Sequence, residues 1–371
     1  MTRFLLTFLS VYSLMHAFLY SRVRVLLPGR WYFHALLIFF LILMIFAPIG
    51  TRLIERSDHY TLARISAFIG YIWMGVIFYA FWCFLLIGAA GIIFKIINLA
   101  AGSSLPTFTG PRAALGVLGV IALINVYGYF EARTIRVERI TIRSEKLPPG
   151  TDRVKIAQIS DIHLGLLVQD GRISKILDKV EAEKPDIFVS TGDLVDGDVG
   201  KIENLPEEFG RIRPRLGKYA VIGNHEVYAG LARSIRAEED LGFRVLSGEG
   251  ETVSNIVNIA GVDDPNTGHT QDEKAILGRF ENGLFTIFLK HRPEADPESI
   301  GLFDLQLSGH THYGQLFPFR LFSQMVYPMQ NGPYYLPKGS VVYTSRGTGT
   351  WGPPIRVLAP PEVTIFDVVR K

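Results

Sequence analysis

Hydrophobic residues crowd the first third of the chain and then thin into short, regularly punctuated runs. No charged residue falls between Arg3 and Arg22, Arg30 and Arg52, Arg64 and Lys95, or Arg112 and Glu131. Each gap is about 18 residues or longer, the length a helix needs to cross roughly 30 Å of hydrocarbon. Four transmembrane helices are therefore expected, at about 4–20, 31–50, 66–94 and 113–130. They would form a membrane region over 1–130, followed by a separate domain over 131–371. Tyr20, Trp31, Tyr32 and Tyr127 lie near the ends of these stretches, where interfacial aromatics belong. The third stretch is long enough to cross with tilt or to run past the interface. The first, with Ser10, Ser13 and His16, is the weakest span and has the option of lying partly in the interface. A buried soluble core is disfavoured, because four consecutive uncharged runs of this length are rare outside membranes. A cleaved leader is disfavoured too, because no small-residue site follows the first run.

With four crossings both termini share one side. That side carries nine Lys and Arg residues near the spans, against five on the other. The bias predicts a multi-pass protein of the plasma or inner membrane with its C-terminal domain in the cytoplasm.

After Glu131 the period changes. Residues 133–143 alternate apolar and charged, as a half-exposed strand does. Leu147-Pro148-Pro149-Gly150 then breaks the chain. Five apolar runs follow, each ending in a residue with a ligating side chain. Ile156–Ser160 leads into Asp161-Ile162-His163, and Ile187–Thr191 into Gly192-Asp193. Tyr219–Ile222 leads into Gly223-Asn224-His225-Glu226, and Thr286–Leu289 into Lys290-His291. Leu305–Ser308 leads into Gly309-His310-Thr311-His312. Amphipathic helices are expected over 172–184, with Ile173, Ile176, Leu177 and Val180 on one face, and over 230–241. Strands alternating with helices predict an α/β domain, whose sites assemble at strand ends.

Taken singly, each motif has a bland reading as a turn. Together they supply carboxylates, imidazoles and one amide oxygen, a donor set suited to Mn, Fe or Zn rather than Ca. A carboxylate can bridge two such ions about 3.5–4 Å apart, a spacing suited to in-line phosphoryl displacement. Composition adds two exclusions. A formal net charge of +3 gives no ground for nucleic-acid binding. The lone cysteine, Cys83, sits in an apolar run and permits no intramolecular disulfide.

The ordered set Asp-x-His, Gly-Asp, Gly-Asn-His-Glu, a lone His and Gly-His-Thr-His resembles the calcineurin-like metallophosphoesterases, over about 135–370. More narrowly it looks like their membrane-anchored branch, as do Ser345–Gly352 and Pro361–Thr364. The resemblance implies an αββα sandwich of two mixed sheets and a pair of divalent metal ions, manganese favoured. It implies hydrolysis of a phosphoester or pyrophosphate bond by a metal-bridging hydroxide. It assigns Asp161, His163 and His312 to one metal, Asn224, His291 and His310 to the other, and Asp193 as the bridge. It makes His225 the acid that serves the leaving oxygen; the alternative is an imidazole that only hydrogen-bonds near the ligands. Tyr313 departs from the branch, which has a second glycine there, and would narrow the mouth of the site.

Membrane anchoring points to a phosphorylated lipid or lipid precursor as substrate, besides soluble phosphoesters, with the bilayer itself as a partner. A catalytically silent scaffold that binds protein partners is the rival reading; retention of every ligand and of His225 weighs against it. A transporter with a regulatory domain would favour charged residues within the spans, and there are none. Asp263 and Asp264 read as a turn rather than as ligands. Ser345–Gly352 lacks the spacing of a nucleotide loop and reads as a turn beside the site, with Arg346 a possible phosphate contact. The aromatic and Pro-rich stretch 316–336 has two readings, a loop packed on the domain or a surface leaning on the bilayer.

Overall fold

The computed structural model describes residues 2–57, 59–168, 170–197 and 204–371. The chain divides into two compact units, Met1–Phe130 with Gly352–Ile355, and Glu131–Trp351 with Arg356–Lys371.

The N-terminal unit is helical: α1 (Thr2–Val23), α2 (Trp31–Glu55), α3 (Tyr60–Ala101) and α4 (Gly110–Glu131). Among the described residues α2, α3 and α4 are long and apolar enough to cross a membrane. The expected first span forms helix α1 but is not one of those three; its Ser, Thr, Tyr and His residues dilute the apolar run. Of these, His16 is paired inside the bundle. His16 Nδ1 lies 2.7 Å from the Tyr12 carbonyl, and Trp73 Nε1 on α3 donates to His16 Nε2 at 2.9 Å. Thr51 on α2 meets Ser66 on α3 at 2.8 Å. Away from water, such pairing keeps a polar side chain tolerable. With 42 residues α3 is about 63 Å long at 1.5 Å per residue, twice a hydrocarbon core.

The C-terminal unit holds two six-stranded mixed sheets. The first uses β1 (Arg136–Ser144), β2 (Arg153–Ile159), β3 (Ile187–Ser190), β4 (Lys218–Ala220) and β5 (Arg244–Val245). The second uses β6 (Glu249–Val253), β7 (Val257–Val262), β8 (Phe285–Lys290), β9 (Leu305–Ser308), β10 (Gly332–Tyr335) and β11 (Val341–Thr344). The last strand, β12 (Glu362–Arg370), returns to the first sheet between β1 and β2, parallel to β1 and antiparallel to β2. Strands β2 to β5 run parallel, as do β7, β8, β9 and β11, so both sheets aim several carboxyl ends the same way. The helices are α5 (Asp170–Glu183), α6 (Leu205–Gly210), α7 (Asn224–Asp240), α8 (Glu273–Leu277) and α9 (Arg320–Val326).

Strand periodicity assigns the layers, because alternate side chains leave opposite faces. Val154, Ile156, Ile187 and Val189 of the first sheet pack against Ile259, Ile287, Leu289 and Leu307 of the second. The intervening residues Ala157, Ile159 and Phe188 turn outward and are covered by Ile173, Ile176, Leu177 and Val180 of α5 and by Phe209 of α6. On the far face Ala260, Val262 and Phe288 are covered by Ile276 and Leu277 of α8. The expected αββα sandwich of two mixed sheets is present. The helix expected over 230–241 begins earlier, at Asn224; Gly230 (φ 108°) interrupts its helical geometry and hides the first half from a periodicity reading.

Candidate metal centre

Five strand ends deliver the expected ligands to one place. Asp161 and His163 follow β2, Asp193 follows β3, Asn224 follows β4, His291 follows β8, and His310 and His312 follow β9. All but His310, which is half-buried, are buried. Asp161, His163 and His312 form one cluster of potential ligand atoms within 4.8 Å of one another, and Asp193, His291 and His310 form a second. His163 Nε2 faces His312 Nε2 at 3.0 Å, and His312 Nε2 lies 3.4 Å from Asp161 Oδ1. In the second cluster His310 Nδ1 faces His291 Nε2 at 3.1 Å. Asp193 Oδ2 stands 3.3 Å from His291 Nε2 and 3.9 Å from His163 Nε2, so this carboxylate reaches both clusters.

The donor set fits divalent cations. Nitrogens bound to one cation at about 2.0–2.1 Å sit roughly 3.0–3.4 Å apart, the separation of both facing imidazole pairs. Asn224 Oδ1 is buried and accepts no hydrogen bond, leaving its lone pairs for another partner. Burial lowers His163 and His310 to about 3 and His312 well below its ordinary value, so all three present neutral nitrogens, the form that ligates. Burial pushes Asp161 up to about 6, partly offset by His291. Burial acts to raise Asp193 as well, but His291, His225 and His163 together hold it well below the usual carboxylate range. His291 is pushed up to about 10, its desolvation outweighed by Asp193. Its Nδ1 donates to the Thr191 carbonyl at 2.8 Å, which fixes Nε2 toward the cluster.

The backbone around these residues is unusual. Asp161 (φ 51°), His163 (φ 56°), Asp193 (φ 53°), His310 (φ 71°) and His312 (φ 48°) all occupy the left-handed region. Asp and His enter it more readily than most residues, but each still costs energy that the surrounding structure must hold. The three motif glycines have a steric reason: a Cβ on Gly192 would collide with the His291 imidazole. A Cβ on Gly223 would collide with the Asp193 carboxylate, and one on Gly309 with Ser160 and the Asp161 carboxylate.

Sequence reasoning missed several residues that build the centre. Glu226 Oε2 accepts from Asp193 N at 3.0 Å and Gly223 N at 2.8 Å, and Oε1 accepts from Val195 N at 2.8 Å. One carboxylate thus locks two strand ends together. The signal was its place in Gly-Asn-His-Glu. Asp196 Oδ1 meets His225 Nδ1 at 2.7 Å. The signal was a second aspartate three residues after Asp193. His225 N also donates to Asp193 Oδ1 at 2.8 Å, so the bridge candidate and His225 are fixed to each other. Desolvation would lower His225, but Asp193 and Asp196 raise it to about 9. Its ring lies edge-on to His163 (centroids 4.6 Å) and beside Tyr228 (5.4 Å) and Trp351 (5.5 Å). Arg356 is fully buried and donates to the carbonyls of Arg346, Gly349 and Ala359 at 2.8–2.9 Å, which ties the C-terminal loop beside His312.

Other expectations resolve individually. The 345–352 turn lies against the centre, with Thr348 N on Ser160 O (2.7 Å) and Gly349 N on Asp161 O (3.0 Å). Arg346 is committed elsewhere, to Glu138 and Glu362 at 2.5 Å each, so it braces β1 and β12 instead of reaching toward a phosphate. Asp264 caps a turn through Asn266 N (2.9 Å) and grips Arg292 with both oxygens, at 2.7 and 2.9 Å. Tyr313 takes φ 52°, a conformation in which glycine is free, and Arg320 lies 5.3 Å above its ring.

A family model for calcineurin-like phosphoesterases matches residues 154–314. A metallophosphoesterase of Aquifex aeolicus is 40% identical over 259 residues, 68% of this chain and 98% of that one. A Campylobacter jejuni metallophosphoesterase is 26% identical over 381 residues, 98% of this chain and 97% of that one. A Danio rerio transmembrane protein with metallophosphoesterase domain is 32% identical over 271 residues, 68% of this chain; the match spans 62% of that longer protein. Motifs, fold and relatives agree that the chain belongs to the calcineurin-like metallophosphoesterase family, whose members bind divalent metal ions.

Proposed function

We propose that the protein is a membrane-anchored, dinuclear metal-dependent phosphoesterase that hydrolyses a phosphoester or pyrophosphate bond. The observation that carries this reading is Asp193, whose carboxylate reaches His163 on one side and His291 on the other. Asp161, His163 and His312 would hold one cation, Asn224, His291 and His310 the second, and Asp193 both. Two carboxylates, an amide and four imidazoles suit manganese, iron or zinc, and the family resemblance favours manganese among them. When bound, the cations supply positive charge to the phosphoryl oxygens and an acidified water.

The chain's own residues supply the rest. Asp196 accepts from His225 Nδ1, which leaves Nε2 free to carry the proton toward the leaving oxygen. Glu226 keeps Asp193 in register with Asn224 and His225. The helices α2, α3 and α4 anchor the enzyme, and a phosphorylated lipid or lipid precursor is the substrate class this placement favours. The bias of basic residues supports a cytoplasmic C-terminal unit. If α1 does not cross, only Arg3 changes sides, and the bias becomes eight against six with the same orientation.

Chelation tests the reading. Purified protein stripped of metal should lose phosphodiester hydrolysis and regain it with Mn²⁺. Unchanged turnover in a stripped sample shown to contain no metal would contradict it.

A further inference from the structure

We infer that α9 and the residue before it form a lipid-entering ridge that seats the mouth of the metal centre on the bilayer; this rests on the membrane-anchored reading above. Helix α9 is built inside out for a water-exposed surface. None of its residues is buried. Phe319, Leu321, Phe322, Met325 and Val326 are all exposed, Met325 by 82% and Val326 by 69%. They supply five of the ten exposed large apolar residues among those described between Glu131 and Lys371. A contiguous patch of this kind marks an interaction surface, whereas single exposed apolar residues need no explanation.

Gln324 of α9 stays exposed, but Ser323 and the Arg320 carbonyl face inward. Buried Gln330 receives a hydrogen bond from Ser323 Oγ at 2.7 Å and donates to the Arg320 carbonyl at 3.1 Å. The Gln330 carbonyl in turn accepts from Thr311 Oγ1 at 2.8 Å, between ligands His310 and His312. Just past the helix, Tyr327 OH lies 3.1 Å from His310 Nε2. A seven-residue helix has too few turns to stand alone in water. This one is held by polar ties to the metal centre, while Leu321, Met325 and Val326 stay exposed on its apolar side.

Charge identifies what covers that side. No Asp or Glu lies between Asp304 and Glu362, while Arg320 and Lys338 do. An apolar ridge in an acid-free, weakly basic stretch suits the headgroup and acyl boundary of a membrane containing anionic lipids. The same chain carries three helices fit for such a membrane. A ridge seated in lipid and tied to His310 would bring a lipid-borne phosphoester to the metals without extracting its acyl chains.

Depth measurement on the full chain tests this without using activity. Cys83→Ser removes the native thiol, and single cysteines then replace Met325, Leu43 in α2 as the lipid reference, or the exposed Glu298 as the water reference. Each is nitroxide-labelled in liposomes of zwitterionic and anionic phospholipid and read by oxygen against a water-soluble nickel relaxant. The ridge predicts that position 325 favours oxygen, as position 43 does, and that position 298 favours nickel. If position 43 reads lipid and position 325 reads water, the ridge is wrong and the anchor stands. If position 325 is shielded from both relaxants, protein covers it, from a second copy or another part of this chain, and the inference is overturned. If position 43 itself reads water, the anchored reading fails and the ridge fails with it.

Discussion

The Nδ1 atom of His225 and the Oδ1 atom of Asp196 meet at 2.7 Å, and the backbone N–H of the same histidine binds Asp193. One carboxylate therefore sets the tautomer of His225 while another sets its position. If His225 is the acid, its worth depends on how badly the leaving group needs a proton. His225→Ala should lose roughly 10²–10⁴-fold in kcat/KM on an alkyl phosphodiester and much less on a nitrophenyl ester. Asp196→Asn should show the same asymmetry at about 10–100-fold. Metal content should stay near wild type in both. Equal losses on the two substrates would refute the acid role, and loss of a metal equivalent would make His225 a ligand.

Glu238 on α7 is fully buried and neither of its carboxyl oxygens finds a hydrogen-bond partner. Burial, then the charges of Glu226 and Asp193, push its pKa well above the ordinary value of 4.5. In the fold it is neutral, whereas in the unfolded chain it ionises near its ordinary value. The unfolded state thus binds fewer protons above that value, and stability falls as pH rises from about 4.5 toward the folded pKa. Glu238→Met removes the group at similar length and should raise the melting temperature. The gap between variant and wild type should be wider at pH 8 than at pH 5. Thermal unfolding of the full chain in detergent measures both, and an equal gap at the two pH values would contradict the assignment.

Much of this centre was legible because strand ends carry chemistry in short words: Asp161-x-His163, Gly192-Asp193, Gly223-Asn224-His225-Glu226 and Gly309-His310-x-His312. The apolar runs before them were strands because alternate positions serve two buried layers. What stayed hidden depends on residues distant in sequence. β12 joins the first sheet between β1 and β2, a pairing that no local pattern encodes. Arg346 looked available for a phosphate until Glu138 and Glu362 were brought to it. No local pattern marks Arg356, although its buried guanidinium gathers loop carbonyls beside His312. The left-handed backbone at five candidate ligands was also invisible, because Asp and His mark such sites only weakly.

Orientation is open to a direct check. The excess of positive residues predicts a cytoplasmic C-terminal unit whether or not α1 crosses. A reporter that works only outside the cytoplasm, fused after Lys371, should stay silent. A strong external signal would reverse the orientation and move the substrate to the outer face.

Asp193 is the residue on which the dinuclear account turns, since its carboxylate lies within 4 Å of an imidazole of each set. A neutral amide cannot bridge two cations as a carboxylate does. The decisive measurement is metal content per chain together with turnover, on wild type and Asp193→Asn prepared side by side. The account predicts two equivalents and activity in the wild type, and lowered metal with turnover abolished in the variant. Near wild-type turnover with two metals bound in Asp193→Asn would contradict it.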